Sequence, residues 1–326
     1  MTWRILNTLD ISGAPEASAA LNEAGELINK EAIRDDILRS VGKFDAYMVS
    51  GKIVIDKEIL DAASRLKLIG SPHTGTDHLD LEEIRSRGIE LFTITKEIEL
   101  LEGFTATSEL AFGLLMSLVR KLPQAFNASK EGNWAREYFT GFQLRDKTIG
   151  ILGLGRLGKI SAQIANGFGM RVTAYDIRDV NVEGVEMVDF DTLFAQSDVI
   201  SVHIHLNDET RGLVGARAIA SMKPNAIILN TSRGGILDEA ALLSALKSDS
   251  IGGAGLDVIE GEWLSRDELM KHPLIAYART HENLLITPHV GGSTTESIYG
   301  ARVFMARKMA EYIKNSNRNQ SEIRST

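Results

Sequence analysis

The chain has 326 residues, of which 44% are hydrophobic and 25% charged, and its formal net charge is −8 at neutral pH. A chain of this length is too long to fold around one ordinary hydrophobic core, so we expect two domains. The negative charge argues against electrostatic binding to nucleic acid or to an anionic membrane. The chain has no cysteine, which excludes disulfides, thiolate metal ligands and cysteine nucleophiles. Because we also find neither a signal-peptide pattern nor an apolar run of membrane-spanning length, we expect a cytoplasmic protein.

Strand-like and helix-like segments alternate along the chain, a pattern typical of parallel α/β sheets. In the first third, the short apolar runs are Ile5–Leu6, Ala46–Val49, Leu66–Ile69 and Ile89–Phe92. Residues 57–66 and 81–88 are predicted helices, and Gly88 suits a helix C-terminus.

A second set of predicted strands begins at TIGILGLG (148–155) and continues in MRVTAYD, SDVISVHI, NAIILN, GGAGLDV and NLLITPH. These runs are rich in valine, isoleucine and leucine without strict alternation, as expected for strands covered on both faces. Two long helices are predicted beside this set. The first covers 107–122, where Pro123 should stop it, and the second covers 293–315 and should return to the first domain.

A glycine-rich loop follows the first strand of the second set. Gly153, Gly155 and Gly158 form a G-x-G-x-x-G motif that opens a predicted helix, an arrangement typical of dinucleotide binding. The backbone amides around Arg156 and Leu157 should meet the phosphates.

Asp176 ends the next predicted strand, at the spacing expected for contact with the ribose hydroxyls. Its charge would repel a 2′-phosphate, so the sequence favours NAD over NADP, although Arg178 lies two residues further on. A glycine-rich turn in a plain α/β domain is the alternative interpretation.

Three further polar stretches follow predicted strands, and they should therefore lie on one rim of the sheet. NTSRGG supplies Arg233, GLDVIEGEW supplies Asp257, Glu260 and Glu262, and PHVGGST supplies His289. A cation, an acid and an imidazole beside a nicotinamide are suited to the oxidation of a hydroxy acid.

Together with LKLIGSPHTGTDHLD (66–80), these motifs resemble the D-isomer-specific 2-hydroxyacid dehydrogenases over nearly the whole chain. The resemblance implies two Rossmann-like, doubly wound parallel-sheet domains with a cleft between them. These are a flavodoxin-like substrate domain (1–104 and 295–326) and an NAD-binding domain (105–294). It also implies a homodimer formed largely through the NAD-binding domain.

The resemblance further implies a set of reacting residues. Arg233 would bind and polarise a 2-hydroxy or 2-keto acid, and Glu262 would orient His289, the proton-transfer residue. The family's spacing favours Glu262 over Glu260, which we expect to be a solvated loop charge. No metal is expected, because Arg233 and protonated His289 supply the electrophile.

Other contacts also follow from the resemblance. Cofactor contacts are implied for His203, Thr231, Asp257 and Gly291. Substrate-binding residues are implied in the first domain at Pro72, His73, Thr74 and Gly75, although His73 could instead be a loop histidine facing water.

Several remaining residues are given structural roles. We expect His78 to be structural, and His272 and His281, which match no motif, to lie at the surface. For Trp134, Tyr138 and Phe139 three roles are open, in the core, at a subunit contact or in a pocket wall, and the first two are favoured.

Two features depart from the family pattern. Trp263 follows Glu262 where proline is usual, and the segment near 96–107 is a few residues longer. A phosphorylated substrate is disfavoured because MVSGKIVID carries only Lys52 as a cation.

Two alternative functions stay open. A formate-type dehydrogenase is disfavoured because that branch pairs its histidine with glutamine. An NAD-sensing binding protein of the same fold is the alternative outside enzymes.

Overall fold

The computed structural model describes residues 2–325, with side chains up to residue 318. The chain divides into two compact units, one of Met1–Phe104 with Thr294–Thr326 and the other of Thr105–Ser293.

The first unit contains a five-stranded parallel sheet. Its strands are β1 (Trp3–Asn7), β2 (Gly25–Asn29), β3 (Ala46–Met48), β4 (Leu68–Ser71) and β5 (Glu90–Thr93), in the order β2-β1-β3-β4-β5. This is the flavodoxin-like order that was predicted. Strand β2 was not predicted, because it is an edge strand with no fully buried residue and so lacks the apolar run of the central strands.

The second unit contains a seven-stranded parallel sheet. Its strands are β6 (Thr148–Leu152), β7 (Arg171–Tyr175), β8 (Glu186–Met187), β9 (Val199–Val202), β10 (Ile227–Asn230), β11 (Gly253–Leu256) and β12 (Leu284–Ile286). Their order is β12-β11-β10-β9-β6-β7-β8. The strand order therefore reverses between β6 and β9, the switch point at which doubly wound sheets bind dinucleotides. The predicted fold class is confirmed.

The helices of both units follow in chain order. They are α1 (Pro15–Ala24), α2 (Arg34–Leu38), α3 (Lys57–Ala62), α4 (Leu81–Ser86), α5 (Ile98–Glu102), α6 (Ala106–Val119), α7 (Leu122–Lys130), α8 (Arg156–Gly167), α9 (Phe190–Gln196), α10 (Ala216–Ala220), α11 (Glu239–Lys247), α12 (Arg266–Leu269), α13 (Pro273–Ala278) and α14 (Thr295–Ser325). Within residues 2–325, every helix is too short or too polar to span a lipid bilayer.

The end of α6 corrects one prediction. The helix ends at Val119, Lys121 has a left-handed backbone (φ 50°), and Pro123 lies in the first turn of α7. Proline is tolerated there because first-turn amides have no intrahelical acceptor. Pro123 therefore helps to start a second helix, whereas the sequence suggested only a stop.

The C-terminal helix α14 belongs to the first unit and packs against α1. Met305 and Met309 of α14 are fully buried. A Cβ atom at Gly70 on β4 would lie 2.2 Å from the sulfur of Met309, so the small residue allows the helix to approach the sheet closely.

The aromatic segment after α6 is not part of the core, contrary to one of the two predicted roles. No residue between 121 and 143 is buried. Trp134 and Tyr138 are 79% and 75% exposed, and Phe126 is 62% exposed. Large apolar side chains concentrated on one exposed segment are typical of an interaction surface.

Candidate active site

Three neighbouring strands end in register at the rim of the second sheet. Asn230 of β10 pairs with Leu256 of β11, which in turn pairs with Ile286 of β12. Since the strands are parallel, the loops that follow them leave the sheet on the same side. The sequence therefore brings together the loops that carry Arg233, Glu262 and His289.

The glycine loop shows a different role for each glycine. Gly153 has a φ of 94°, and a Cβ atom there would lie 2.8 Å from the carbonyl oxygen of His203. At Gly158 a Cβ atom would lie 2.1 Å from the carbonyl oxygen of Gly153, so the helix can approach the strand only without a side chain. At Gly155 the nearest atom is a guanidinium nitrogen of Arg178 at 3.8 Å. The space over Gly155 is therefore open, as a cradle for a pyrophosphate requires.

The first turn of α8 begins directly after this cradle. Gly155 is its N-cap residue, with no side chain bonded to the turn, and Arg156 and Leu157 follow. The Ser108 hydroxyl donates to the carbonyl oxygen of Leu157 (3.0 Å) and fixes this turn against α6. Helix N-termini favour anions such as phosphate.

Asp176 closes the other side of the glycine loop. Its Oδ2 accepts from the backbone N–H of Leu154 (2.8 Å), and the Arg178 guanidinium bonds both carboxylate oxygens at 2.9 Å. These bonds, led by that of Arg178, lower the pKa of Asp176 to about 2. Asp176 thus remains ionised, and a largely exposed cation neutralises the charge that was expected to repel a 2′-phosphate.

His203 and Thr231 lie just beyond the ends of β9 and β10. The His203 Nε2 is 2.8 Å from the Ser201 hydroxyl, and burial lowers the pKa of His203 to about 4, so the ring is neutral at physiological pH. The Thr231 hydroxyl is buried and has no partner within the described part of the chain. A buried hydroxyl of this kind is suited to hydrogen bonding a ligand.

A buried asparagine shapes the loop that carries Arg233. The Oδ1 of Asn230 accepts from the Ser232 N–H (3.0 Å), and its Nδ2 donates to the Arg233 carbonyl (2.9 Å). Such local bonds are the usual way in which asparagine stabilises a turn. The half-buried Arg233 guanidinium also donates to the Ser232 carbonyl (2.8 Å), so both backbone and side chain are oriented locally.

Asp257 plays the corresponding part for the histidine loop. Only 1% exposed, it accepts at Oδ1 from the Thr287 hydroxyl (2.6 Å) and the Val290 N–H (2.8 Å), and at Oδ2 from the Gly291 N–H (2.7 Å). Its carbonyl accepts from the His289 N–H (2.8 Å). These bonds hold His289 in a left-handed backbone conformation (φ 52°) that L residues seldom adopt.

The resemblance assigned Asp257 and Gly291 to cofactor contacts. In the structure their hydrogen bond helps to form the turn that carries His289. Gly291 is buried, and a Cβ atom there would meet both Asp257 and Thr107. The small residue lets the Asp257 carboxylate reach the amides of the turn.

His289 and Glu262 form the central pair of the site. The imidazole Nδ1–H donates to Glu262 Oε1 (2.8 Å), with the histidine side chain 34% and the glutamate side chain 18% exposed. The pKa of His289 is raised, first by this hydrogen bond and then by the charge of Glu262, whereas burial and the nearby Arg233 guanidinium oppose the rise. Because Nδ1 is bonded to the glutamate, Nε2 is the nitrogen that can exchange a proton with a substrate.

Two neighbours of Glu262 differ in exposure and contacts. Glu260 pairs with Arg211 (3.0 Å) with both side chains more than half exposed, consistent with the predicted solvated charge. The Trp263 ring lies 6.0 Å from the His289 ring, at 40° between planes, and the residue is 72% exposed. A large exposed indole beside the imidazole forms one wall of the site.

The loop predicted to bind the substrate carboxylate lies in the first unit, after β4. Pro72 is buried, and His73 Nε2 accepts from the Gly51 N–H (3.0 Å). Burial lowers the pKa of His73 to about 4, so the ring is neutral, with its proton on Nδ1. The ring packs edge to face on His78 (5.3 Å), whereas Thr74 is exposed and Gly75 half-buried.

Sequence reasoning missed several residues that organise the site, chiefly Asn230, Thr287 and Glu239. Asn230 had a readable signal, since asparagine after a buried strand and before small residues is typical of a turn. The Thr287 hydroxyl donates to Asp257, and the Glu239 carboxylate accepts from the Glu260 N–H. Both partners are distant in sequence, so no local pattern indicates them. Among the side chains that the structure describes, no cluster of three metal-ligating residues is found.

Comparison with known proteins identifies the family. The model of the family described as "D-isomer specific 2-hydroxyacid dehydrogenase, NAD binding domain" matches residues 112–291. The D-3-phosphoglycerate dehydrogenase of Archaeoglobus fulgidus is 38% identical over 286 residues, which cover 86% of this chain and 52% of that protein. The glyoxylate reductase of Thermococcus litoralis is 37% identical over 292 residues, covering 86% of this chain and 84% of that protein.

Solved structures agree with these matches. The D-lactate dehydrogenase from Aquifex aeolicus, complexed with NAD and lactic acid, superimposes with a TM-score of 0.82 at 26% identity and covers 96% of each chain. This chain spans about half the length of the phosphoglycerate dehydrogenases that it matches. The matched segment contains the glycine loop, Arg233, Glu262 and His289, and the chain therefore belongs to the D-isomer-specific 2-hydroxyacid dehydrogenase family.

Proposed function

We propose that the chain is an NAD-dependent dehydrogenase that moves a hydride between NAD(H) and C2 of a small D-2-hydroxy acid or its 2-keto acid. The observation that carries this proposal is the 2.8 Å bond between His289 Nδ1 and Glu262, beside an arginine and in the same unit as an open glycine cradle. A charged imidazole oriented by a carboxylate is suited to proton transfer near neutral pH.

The cofactor site is argued from the residues that would hold it. The cradle at Gly155, the first turn of α8 and the Asp176 carboxylate fit a pyrophosphate and an adenosine ribose. The buried Thr231 hydroxyl, which has no hydrogen-bond partner among the described residues, and His203 lie at adjacent strand ends. They fit contacts further along the same cofactor molecule. When bound, the nicotinamide supplies or accepts the hydride.

The remaining steps belong to the side chains. Arg233 binds the substrate carboxylate or carbonyl oxygen and stabilises the negative charge that develops there during reduction. His289 donates the Nε2 proton to that oxygen in reduction and accepts it in oxidation. Glu262 stabilises the protonated imidazole, so reduction is supported to a higher pH than an isolated histidine would allow.

The substrate-binding roles of Pro72, His73, Thr74 and Gly75 are part of the proposal. A neutral Nδ1–H on His73 could donate to a substrate carboxylate, but it supplies no positive charge for a phosphate. This supports a small, unphosphorylated acid, such as the one for which the glyoxylate reductase is named, whereas the phosphoglycerate dehydrogenases among the relatives are named for a phosphorylated substrate.

We further propose that the chain forms a homodimer through residues 121–143 of the second unit. This segment has no buried residue and presents Phe126, Trp134 and Tyr138 to solvent. Sedimentation equilibrium should give a dimer, and the double variant Trp134→Ala, Tyr138→Ala should weaken it. A wild-type monomer at micromolar concentration would contradict the proposal.

A cytoplasmic location is proposed from the use of NAD(H), and cell fractionation tests it.

The test of the activity is steady-state oxidation of NADH with glyoxylate, pyruvate, hydroxypyruvate and larger 2-keto acids. Turnover of at least one 2-keto acid at an ordinary enzymatic rate is expected. Tight binding of NADH with no turnover of any acid would favour the NAD-sensing alternative.

A further inference from the structure

The loop that carries Glu262 packs closely against the backbone next to Arg233. A Cβ atom at Gly234 would lie 2.1 Å from the carbonyl carbon of Ile259 and 2.3 Å from the nitrogen of Glu260. The peptide between residues 259 and 260 is therefore in direct contact with the arginine loop. How this peptide is held decides where Glu262, two residues further on, lies relative to Arg233.

A carboxylate from helix α11 holds this peptide. Glu239 Oε1 accepts from the Glu260 N–H at 2.7 Å. Glu239 is the first residue of α11, but Asp238 already caps that helix by accepting from the Ala241 N–H. The Glu239 carboxylate is therefore available to the loop, through a charge-assisted bond of the stronger kind.

His272, at the start of α13, contacts the same carboxylate. Its Nε2 lies 3.3 Å from Glu239 Oε2, with the two side chains 11% and 16% exposed. Burial raises the pKa of Glu239, whereas the Glu260 amide and His272 act in the opposite direction. A buried carboxylate needs such donors, so the prediction that His272 lies at the surface was wrong.

Beyond Glu260 the chain turns sharply, since Gly261 has a φ of 74°. Glycine leaves the backbone conformationally permissive at this position. The bond from the Glu260 N–H to Glu239 is therefore the main restraint on the chain before Glu262, because the exposed Arg211–Glu260 ion pair contributes little.

We propose that Glu239 and His272 are positioning residues that hold the Glu260 amide and thereby keep Glu262 directed at His289. The inference rests on the proposed function for its catalytic meaning, although its structural consequence is measurable without turnover. Loss of the bond between Glu239 and the Glu260 amide should lengthen or break the His289–Glu262 bond and lower the pKa of His289, with the glycine loop unaffected.

The test compares Glu239→Ala and Glu239→Gln with the wild type. Glutamine keeps an acceptor oxygen for the Glu260 amide and controls for misfolding of the alanine variant. Asp191→Ala is a matched control, since Asp191 is another first-turn acid of the second unit, paired with Arg217 far along the chain from the loop. The pKa of His289 is measured by NMR of ¹³C-labelled histidine, with the resonance assigned by its loss in His289→Ala.

We expect the pKa of His289 to fall in Glu239→Ala, so that its protonated fraction above the pKa drops several-fold, and to be largely restored in Glu239→Gln. His272→Ala should give a smaller fall in the same direction, and Asp191→Ala no change. A lower melting temperature in Glu239→Ala with an unchanged pKa of His289 would overturn the proposal. Absence of turnover in the wild type would instead contradict the proposed function, and the titration would still decide this inference.

Discussion

Replacement of Glu262 by glutamine tests the electrostatic core of the site. Glutamine is nearly isosteric and can still accept the Nδ1–H of His289, so the hydrogen bond persists without its charge. Because Glu262 raises the pKa of His289, its neutralisation must lower that pKa. Of the remaining influences on the pKa of His289, burial and the Arg233 guanidinium lower it, and the Asp257 carboxylate raises it.

The magnitude follows from the kind of bond that is lost. A hydrogen bond to a charged group contributes about 1.5–3 kcal/mol and a neutral one about 0.5–1.5 kcal/mol. The His289 side chain is 34% exposed, so solvent screens the charge of Glu262. We therefore take the difference in free energy between the charged and the neutral bond to be about 1 kcal/mol, near the lower end of its range. In reduction His289 must be protonated, so activity falls as pH rises through its pKa. Above that pKa, kcat/KM of Glu262→Gln should be about fivefold lower than wild type from the titration alone.

The assay is kcat/KM for NADH-dependent reduction of the best 2-keto acid between pH 5.5 and 9. In Glu262→Gln the descending limb of the reduction profile should move to lower pH. The ascending limb of the oxidation profile should also move to lower pH, so that oxidation proceeds at a lower pH than in the wild type. Glu260→Gln is the matched control, because it removes a charge from the same loop without contacting His289. If both variants shift the limb equally, or neither does, the pairing does not set the pKa of His289.

Three further predictions concern the surroundings of this pair. Gly158→Ala should weaken NADH binding, measured by fluorescence titration, and destabilise the fold, because its Cβ atom would lie 2.1 Å from a carbonyl oxygen; Gly167→Ala on the same helix, with no atom within 4 Å, should do neither. Asp176→Ala should relax the preference for NADH over NADPH in kcat/KM, because Arg178 is then freed for a 2′-phosphate, and unchanged selectivity would remove Asp176 from the ribose site. Trp263→Ala should raise the relative kcat/KM of bulkier 2-keto acids, and an unaltered substrate profile would show that the indole does not limit the site.

Much of the fold was predictable because the central strands are buried on both faces and read as continuous apolar runs. Strands β2 and β8 escaped prediction for the complementary reason, since each lies at a sheet edge and is partly or fully exposed. The glycine motif was readable because each glycine answers a local backbone demand.

The residues that organise the site were less accessible. Asp257 was assigned a cofactor contact, and the structure shows its carboxylate bonded to the turn around His289, 30 or more residues later. Glu239 and His272 come from two different helices, and only tertiary packing brings them to the Glu260 amide. The core role predicted for the aromatic residues of the exposed segment was wrong, because the same aromatic residue types occur in cores and at interfaces and the sequence does not distinguish the two.

The central claim is that His289 transfers the proton while the glycine loop independently binds the dinucleotide. The most direct measurement is a pair of numbers for His289→Ala: kcat for reduction of a 2-keto acid and Kd for NADH. The account predicts that kcat falls by at least two orders of magnitude while Kd changes little. Near wild-type turnover in this variant, with NADH bound, would contradict it.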